Sequence, residues 1–318
     1  MKALGLDIGG ANLKLSCEDH SEITYFPLWN RYSELEQKLK DINTKFHPQK
    51  VGVVVTAELA DCFNSRAEGI KTIFGAVRNA FPCEVLFLDI KGDLQLFEGI
   101  SNPHMFFASN WVATANFLLS EGWQDFILAD MGSTTTDLIP VTHGIMAKRA
   151  DHDRLKRGEL FYCGVLRTPV FHTLPQFDVP LIPEYFAING DAFVVTGDLA
   201  PHDYTCDTPD DRGKSREECM SRLARTVSLD VEGNEEYIGD LALAVKEEVI
   251  NKTGQMMEKV ASENMLNRVL GCGVGEFILH KAALKAGLEY LPLKNYYPCT
   301  DLFPAYAVSR LVANERGE

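Results

Sequence analysis

The chain opens on a pattern that changes character within a few residues. "LGLDIGGANLKL" (Leu4 to Leu15) is an apolar run closed by Asp7, a Gly9-Gly10 pair, a polar step, and a second run that alternates apolar and polar. It predicts strands over Ala3 to Asp7 and Asn12 to Cys17, joined at the glycines, where positive φ is cheap. "RYSELEQKLKDINTKF" (Arg31 to Phe46) carries its apolar residues near helical spacing and predicts an amphipathic helix. "KVGVVVTAEL" (Lys50 to Leu59) is short and β-branched, as a buried strand is. A helix over Arg66 to Phe81 stops before Pro82, the strand "CEVLFLDI" follows, and Ser109 to Glu121 reads as a helix opened by a Ser or Asn cap.

After Gly122 the pattern restarts. "LADMGSTTTDLIP" within Trp123 to Gly144 repeats the template of the opening: apolar strand, Asp, glycine turn, small polar residues, apolar strand. The middle, Asp178 to Arg225, reads as irregular and is rich in Asp, Pro and charge. Gly239 to Met265 is a long amphipathic helix interrupted only at Gly254, its Met pair reading as core filler. Arg268 to Gly287 is a strand, a three-glycine turn and a helix, and "FPAYAVSRLVANE" closes the chain as a last helix.

Composition narrows the class. With 318 residues, 46% of them hydrophobic, the chain can bury a substantial core and divide into two domains. A formal charge of −14, with no run of Lys or Arg longer than two, opposes nucleic acid as a partner. A small anion remains open, because backbone amides and a divalent cation override the global field at short range. The eight scattered cysteines form no C-x-x-C pair and read as reduced thiols of a cytoplasmic protein. No apolar run approaches the roughly 18 residues that span a bilayer, so a membrane is not an expected partner. Self-association is left open.

Three glycine-bearing turns follow apolar strands: Gly9-Gly10, Gly132, and Gly271-x-Gly273-x-Gly275. Glycine there lets backbone N–H groups approach an anion, and Ser133, Thr134 and Thr135 add hydroxyl donors. Neither a Walker A pattern nor a well-formed G-x-G-x-x-G occurs, and each turn alone is explained equally by tight-turn geometry. The aspartates change the balance. Asp7 and Asp130 stand at strand ends directly before glycine turns, and Asp137 follows the second turn. A carboxylate aimed at phosphate makes electrostatic sense when Mg²⁺ lies between them, so Asp7 and Asp130 are the candidate metal ligands, and Asp7, Asp130 and Asp137 the candidate catalytic carboxylates. The alternative for each is an Asx turn.

Asn12 and Lys14 on the first hairpin, Asn110 at a helix start, and Arg167 in "GELFYCGVLRTPV" complete the candidate binding set. Lys14 serves equally as a solvated strand lysine, Asn110 as a cap, and Arg167 as half of a structural salt bridge. Cys272 has no visible base beside it, and the spacing of His202, Asp203, Cys206 and Asp207 is too loose to favour a metal site.

"GLDIGGANLKL", "SNWVATA", "DMGSTTTDLIPV", "GELFYCGVLRTPV" and "VLGCGVGEF" together resemble the hydantoinase/oxoprolinase-related proteins of methanogens and methylotrophs, from Gly5 to about Gly275. That group belongs to the actin-like ATPase superfamily with the acetate and sugar kinases. The resemblance implies an α/β, ribonuclease H-like fold of two domains around a ligand cleft. The first domain would cover 1–122, completed by a helix in 300–318; the second would cover 123–299, with an insertion at about 178–225. Gly9 to Lys14 and Gly132 to Thr135 would be phosphate loops, and Gly271 to Gly275 an adenosine-side turn.

The likeness is to members that act in methanofuran biosynthesis. It implies a Mg²⁺-dependent transferase that joins an aminomethylfuran-methyl diphosphate to the phenol of γ-glutamyltyramine and releases diphosphate. Arg167, which suits a carboxylate or a phosphate, is the candidate for the glutamyl carboxylate. Full hydantoinases and oxoprolinases are much longer chains, so their ring hydrolysis is not expected here. Two alternatives keep the same turns: an ATP-dependent small-molecule kinase, and a nucleotide-binding switch protein without catalysis.

Overall fold

A computed structural model describes residues 2–18 and 20–315 and divides the chain into two compact units. The first comprises residues 1–125, 141–154 and 296–318, and the second 126–140 and 155–295. The first unit carries strands β1 (Ala3–Ile8), β2 (Asn12–Cys17), β3 (His20–Tyr25), β4 (Lys50–Val55), β5 (Glu84–Leu88) and β6 (Leu94–Leu96), in the sheet order β3-β2-β1-β4-β5-β6. The second carries β7 (Phe126–Met131), β8 (Thr136–Val141), β9 (Leu160–Phe161), β10 (Arg268–Cys272) and β11 (Glu289–Pro292), in the order β11-β10-β7-β8-β9.

Both sheets share one plan. β1 pairs antiparallel with β2 and parallel with β4, whose C-terminal residues reach Asp7 and Ile8 in register (Asp7↔Val54, Ile8↔Val55). In the second unit β10 runs parallel to β7 with Cys272 opposite Asp130. Every residue of β1 and of β7 is buried, which is why these strands read as apolar runs interrupted by one carboxylate. Leu4, Leu6 and Ile8 pack with Leu39, Ile42, Ile70, Ile73 and Phe74 into the core of unit 1, where Phe74 stacks on Phe87 at 3.9 Å.

The helix Phe303–Asn314 packs on β1 and β4 of the same unit. Gly5 permits this: a Cβ there would stand 1.9 Å from the Ala305 carbonyl oxygen. The segment 141–154, which chain order assigns to the second domain, instead packs within unit 1. Its side chains explain why: Arg149 donates to the Ile90 carbonyl at 2.7 Å, and Asp151 pairs with Arg66 at 3.0 Å.

Other expectations change in detail. The stretch expected as one helix from Arg31 begins as a short helix (Leu28–Arg31) and a 3-10 turn (Tyr32–Glu34), with the regular helix over Leu35–Phe46. The Ser65 hydroxyl caps the helix Arg66–Ala80 by accepting from Glu68 N. Ser109 makes no side-chain cap on Asn110–Ser120; the backbone instead enters that helix through Ala108 at φ 48°, with Ser109 N bound to the Val55 carbonyl. The middle segment is not irregular throughout: it holds the helices Asn189–Val195 and Arg216–Arg225, the latter opened by a Ser215/Glu218 capping box. The long helix runs unbroken from Glu235 to Asn264. Among the described residues no helix is long and apolar enough to cross a membrane.

Candidate active site

The two aspartate-glycine turns have the same construction. In unit 1, Gly9 N donates to Asn12 O at 3.0 Å; in unit 2, Gly132 N donates to Thr135 O at 2.9 Å. Each glycine lies two residues after an aspartate that is next to last in its strand, and each bond has the same three-residue offset. Neither Gly9 nor Gly10 uses positive φ, contrary to the expectation for this turn, and Gly132 does not either. What glycine supplies is bare backbone: a Cβ at Gly10 would meet nothing within 4 Å, and one at Gly132 only Thr135 O at 3.8 Å.

Each turn is held by its carbonyls. Gly10 O and Ala11 O accept from Leu28 N (2.8 Å) and Phe26 N (2.9 Å). Gly132 O accepts from Val165 N at 3.1 Å, and Ser133 O from both Leu166 N (3.0 Å) and Arg167 N (2.9 Å). In a trans peptide the N–H points opposite the C=O, so bracing these carbonyls directs the amides of Ser133 and Thr134 away from the brace. The brace lies close because residue 164 is glycine; a Cβ there would stand 2.5 Å from Thr134 N. Thr136 Oγ1 donates to the Cys163 carbonyl at 2.7 Å and closes the same junction.

The charges of the two hairpins differ. Asp7, 3% exposed, faces Lys14 across the strand pair, with Nζ 3.7 Å from Oδ2. Seven residues after Asp130, where the first hairpin has its lysine, the second has Asp137, and both of these carboxylates are buried. Carboxylates are the protein ligands that a divalent cation bound with phosphate uses. Mg²⁺ suits such a pair, since it binds through one or two carboxylates and otherwise keeps water and phosphate oxygens. The neighbouring hydroxyls of Ser133 and Thr134 are hard oxygen donors of the matching kind. Among the described residues no three His, Cys, Asp or Glu side chains gather as an all-protein ligand set.

The third turn adjoins the second within unit 2. Gly275 N donates to Met131 O at 2.9 Å, and Gly273, at φ 89°, brings its Cα against Asp130. Its glycines face the protein itself: a Cβ at Gly271 would fall 2.0 Å from the Tyr290 hydroxyl, and one at Gly275 2.4 Å from the Met131 side chain. Tyr290 is in turn stacked on His280 at 5.0 Å.

Asn110, half-buried, begins a helix of unit 1 whose preceding residue is tied to the end of β4. Arg167 stands beside the second turn through its backbone bond to Ser133. His202 is exposed whereas Cys206 is buried, its thiol pushed up to about 11 by that burial. Sequence reasoning passed over Glu58, which is 2% exposed and stands just past β4, and its partner Arg66 at 2.5 Å. The signal was available: a lone carboxylate closing an apolar run, as at Asp7 and Asp130.

This arrangement, two α/β units each built on an Asp-Gly hairpin, is the actin-like ATPase fold. Two solved structures share it: a ROK family glucokinase from Streptomyces griseus (TM-score 0.52, 13% identity, 98% of this chain and 99% of that one) and acetone carboxylase in its nucleotide-free form (TM-score 0.59, 9% identity, 97% and 70%). The profile of the hydantoinase/oxoprolinase family matches residues 49–315, and the chain belongs to that family. It is 36% identical over 98% of both chains to the (4-{4-[2-(γ-L-glutamylamino)ethyl]phenoxymethyl}furan-2-yl)methanamine synthase of Methanocaldococcus jannaschii. A protein of the same name from Methanococcus vannielii is 31% identical, over 63% of this chain and 96% of its own.

Proposed function

We propose that this chain is an enzyme that makes the aryl ether in its relatives' name, joining the phenol oxygen of γ-glutamyltyramine to the methyl carbon of an aminomethylfuran-methyl diphosphate. The bond that breaks is the furylmethyl C–O bond, whose electron pair leaves with diphosphate; the bond that forms is phenol O–CH₂, and the phenol proton passes to a base. When bound, Mg²⁺ would neutralise charge growing on the departing diphosphate.

The chain's own groups do the rest. Asp130 and Asp137 hold the cation, the bare amides and hydroxyls of the second turn receive phosphate oxygens, and Arg167, fixed beside Ser133, takes diphosphate rather than the glutamyl carboxylate expected for it. Donors of this kind are worth about 10²- to 10³-fold in rate each. On the first hairpin, Asp7 is the base for a phenol whose free pKa is about 10, and Lys14 Nζ stands 3.7 Å from its Oδ2.

The observation that carries this reading over a kinase is the third turn. Gly10 and Gly132 present open faces suited to phosphate, while the glycines of the third turn back onto Tyr290, Asp130 and Met131. A diphosphate on a small furan asks for no adenosine-side turn.

The test is product analysis. Incubation with Mg²⁺, the furan diphosphate and γ-glutamyltyramine should release inorganic diphosphate and the ether one to one. Conversion of ATP to ADP with a small alcohol, and no ether, would establish the kinase instead. Tight ATP binding without turnover of any of these would favour the switch protein.

A further inference from the structure

Beyond β4, unit 1 contains a charged cluster that the reaction above does not use. Thr56 N donates to Ile8 O at 3.0 Å, which places the end of β4 beside the first hairpin, and Glu58 follows two residues later. Glu58 Oε1 accepts from Arg66 at 2.5 Å, and the same guanidinium nitrogen reaches Asp151 Oδ2 at 3.0 Å. Asp151 Oδ1 accepts from Arg154 at 3.3 Å. Aromatic faces back both guanidiniums, Phe107 at 4.2 Å from Arg66 and Trp111 at 4.5 Å from Arg154.

Two features separate this cluster from a simple brace for the 141–154 segment. At its centre the Glu58 carboxylate and the Arg66 guanidinium balance each other's charge. It also leaves buried polar atoms of both kinds without hydrogen-bond partners: the acceptor Glu58 Oε2 and the donors Arg66 Nε and Trp111 Nε1. Buried polar atoms are ordinarily paired, so an unmatched set of this size and mixed sign points to a ligand. Burial also pushes the Glu58 carboxyl above its ordinary range, against the pull of Arg66. An anion or a cation alone would satisfy one kind of atom and leave a net charge. A zwitterion satisfies both and leaves none.

We propose that Glu58 and Arg66 receive the ammonium and the carboxylate of an α-amino-acid head, with Asp151 and Arg154 holding the pair in place. The identity of the ligand rests on the reading above, whose phenolic acceptor carries its glutamate through the γ-carboxyl and so keeps both α-groups charged. The ligand carboxylate takes Arg66 over from Glu58, and the ammonium takes the carboxylate thus released, so the charge count does not change. Entry is at Arg66 and Asp151, whose side chains are 29% and 17% exposed, while Glu58 lies behind them. The furan donor has an ammonium and no carboxylate and does not fit.

The test compares three acceptors in the diphosphate-release assay: γ-glutamyltyramine, its α-methyl ester, and tyramine. With the wild-type chain, KM for the ester and for tyramine should exceed that for γ-glutamyltyramine at least tenfold. Glu58→Gln and Arg66→Gln should each bring that ratio below twofold and leave KM for the furan diphosphate within twofold. Calorimetric titration of the same acceptors with Mg²⁺ and inorganic diphosphate present gives the comparison without turnover, and for the wild-type chain without any variant that must fold.

Equal KM for tyramine and γ-glutamyltyramine, with ether formed from both, would keep the reaction and overturn the site. So would variants that fold and still discriminate. Calorimetric discrimination of the amino-acid head with no ether formed would keep the site and remove the reaction.

Discussion

At the scale of single residues, glycines that look alike in sequence do different work, and this gives a clean experiment. Gly10 faces open space, so Gly10→Ala should leave the melting temperature within about 2 °C while cutting diphosphate release at least tenfold, because the methyl occupies the face offered to phosphate. Gly164 faces Thr134 N at 2.5 Å, so Gly164→Ala should act through the fold: overpacking of this kind costs about 1–3 kcal/mol, read as a lower melting temperature together with lost activity. Equal melting losses in the two variants would contradict the assignment. Sequence alone brought out Asp7, Asp130 and their glycines because carboxylates inside apolar strands stand out. It left Arg167 to be placed by a backbone bond to Ser133 and missed Glu58, whose partners Arg66 and Asp151 come from distant parts of the chain.

At the scale of elements, legibility followed burial. β1, β4, β7 and β10 were readable because their residues are almost wholly buried and apolar. β3, β6 and β11 lie at sheet edges with half-exposed side chains, so neither an apolar run nor a strict alternation marks them. The helix Asn189–Val195 escaped for the opposite reason: every residue in it is buried, which erases the 3.6-residue period. It is anchored to the helix Arg216–Arg225 by Asp191 and Arg222, paired at 2.8 Å with both side chains 0% exposed. Arg222→Met should cost about 3–5 kcal/mol in urea unfolding by stranding a buried carboxylate, and adding Asp191→Leu should recover part of the loss.

The edge strand β3 gives a pH prediction. Glu22 on that strand is held by Lys45, with help from Thr24 and His20, and its carboxyl is lowered to about 2. A lowered acid stabilises the folded state above its unfolded value of about 4.5, and that contribution is lost as pH falls from there to about 2. Glu22 is 34% exposed, so solvent screening keeps the effect local. Amide exchange in β3, corrected for its intrinsic pH dependence, should lose protection over that interval, and Glu22→Gln should abolish the change.

At the scale of the whole molecule, one hairpin design occurs twice with different charged residues: Asp7 with Lys14 in one unit, Asp130 with Asp137 in the other. The sequence expectation gives the metal to Asp7 and Asp130; the function proposed above gives it to Asp130 and Asp137 instead, on the ground that Lys14 stands 3.7 Å from Asp7. The second hairpin carries Asp137 where the first carries Lys14, and the function proposed above gives the cation to Asp130 and Asp137. Asp137→Asn should therefore raise the Mg²⁺ concentration giving half-maximal diphosphate release more than tenfold. Asp7→Asn should lower kcat and leave that concentration within about twofold, since it removes a proton acceptor rather than a metal ligand. A magnesium titration of the two variants beside the wild type distinguishes these roles: equal displacement of the midpoint would return Asp7 to the metal site, and no displacement in Asp137→Asn would take the cation away from the second hairpin.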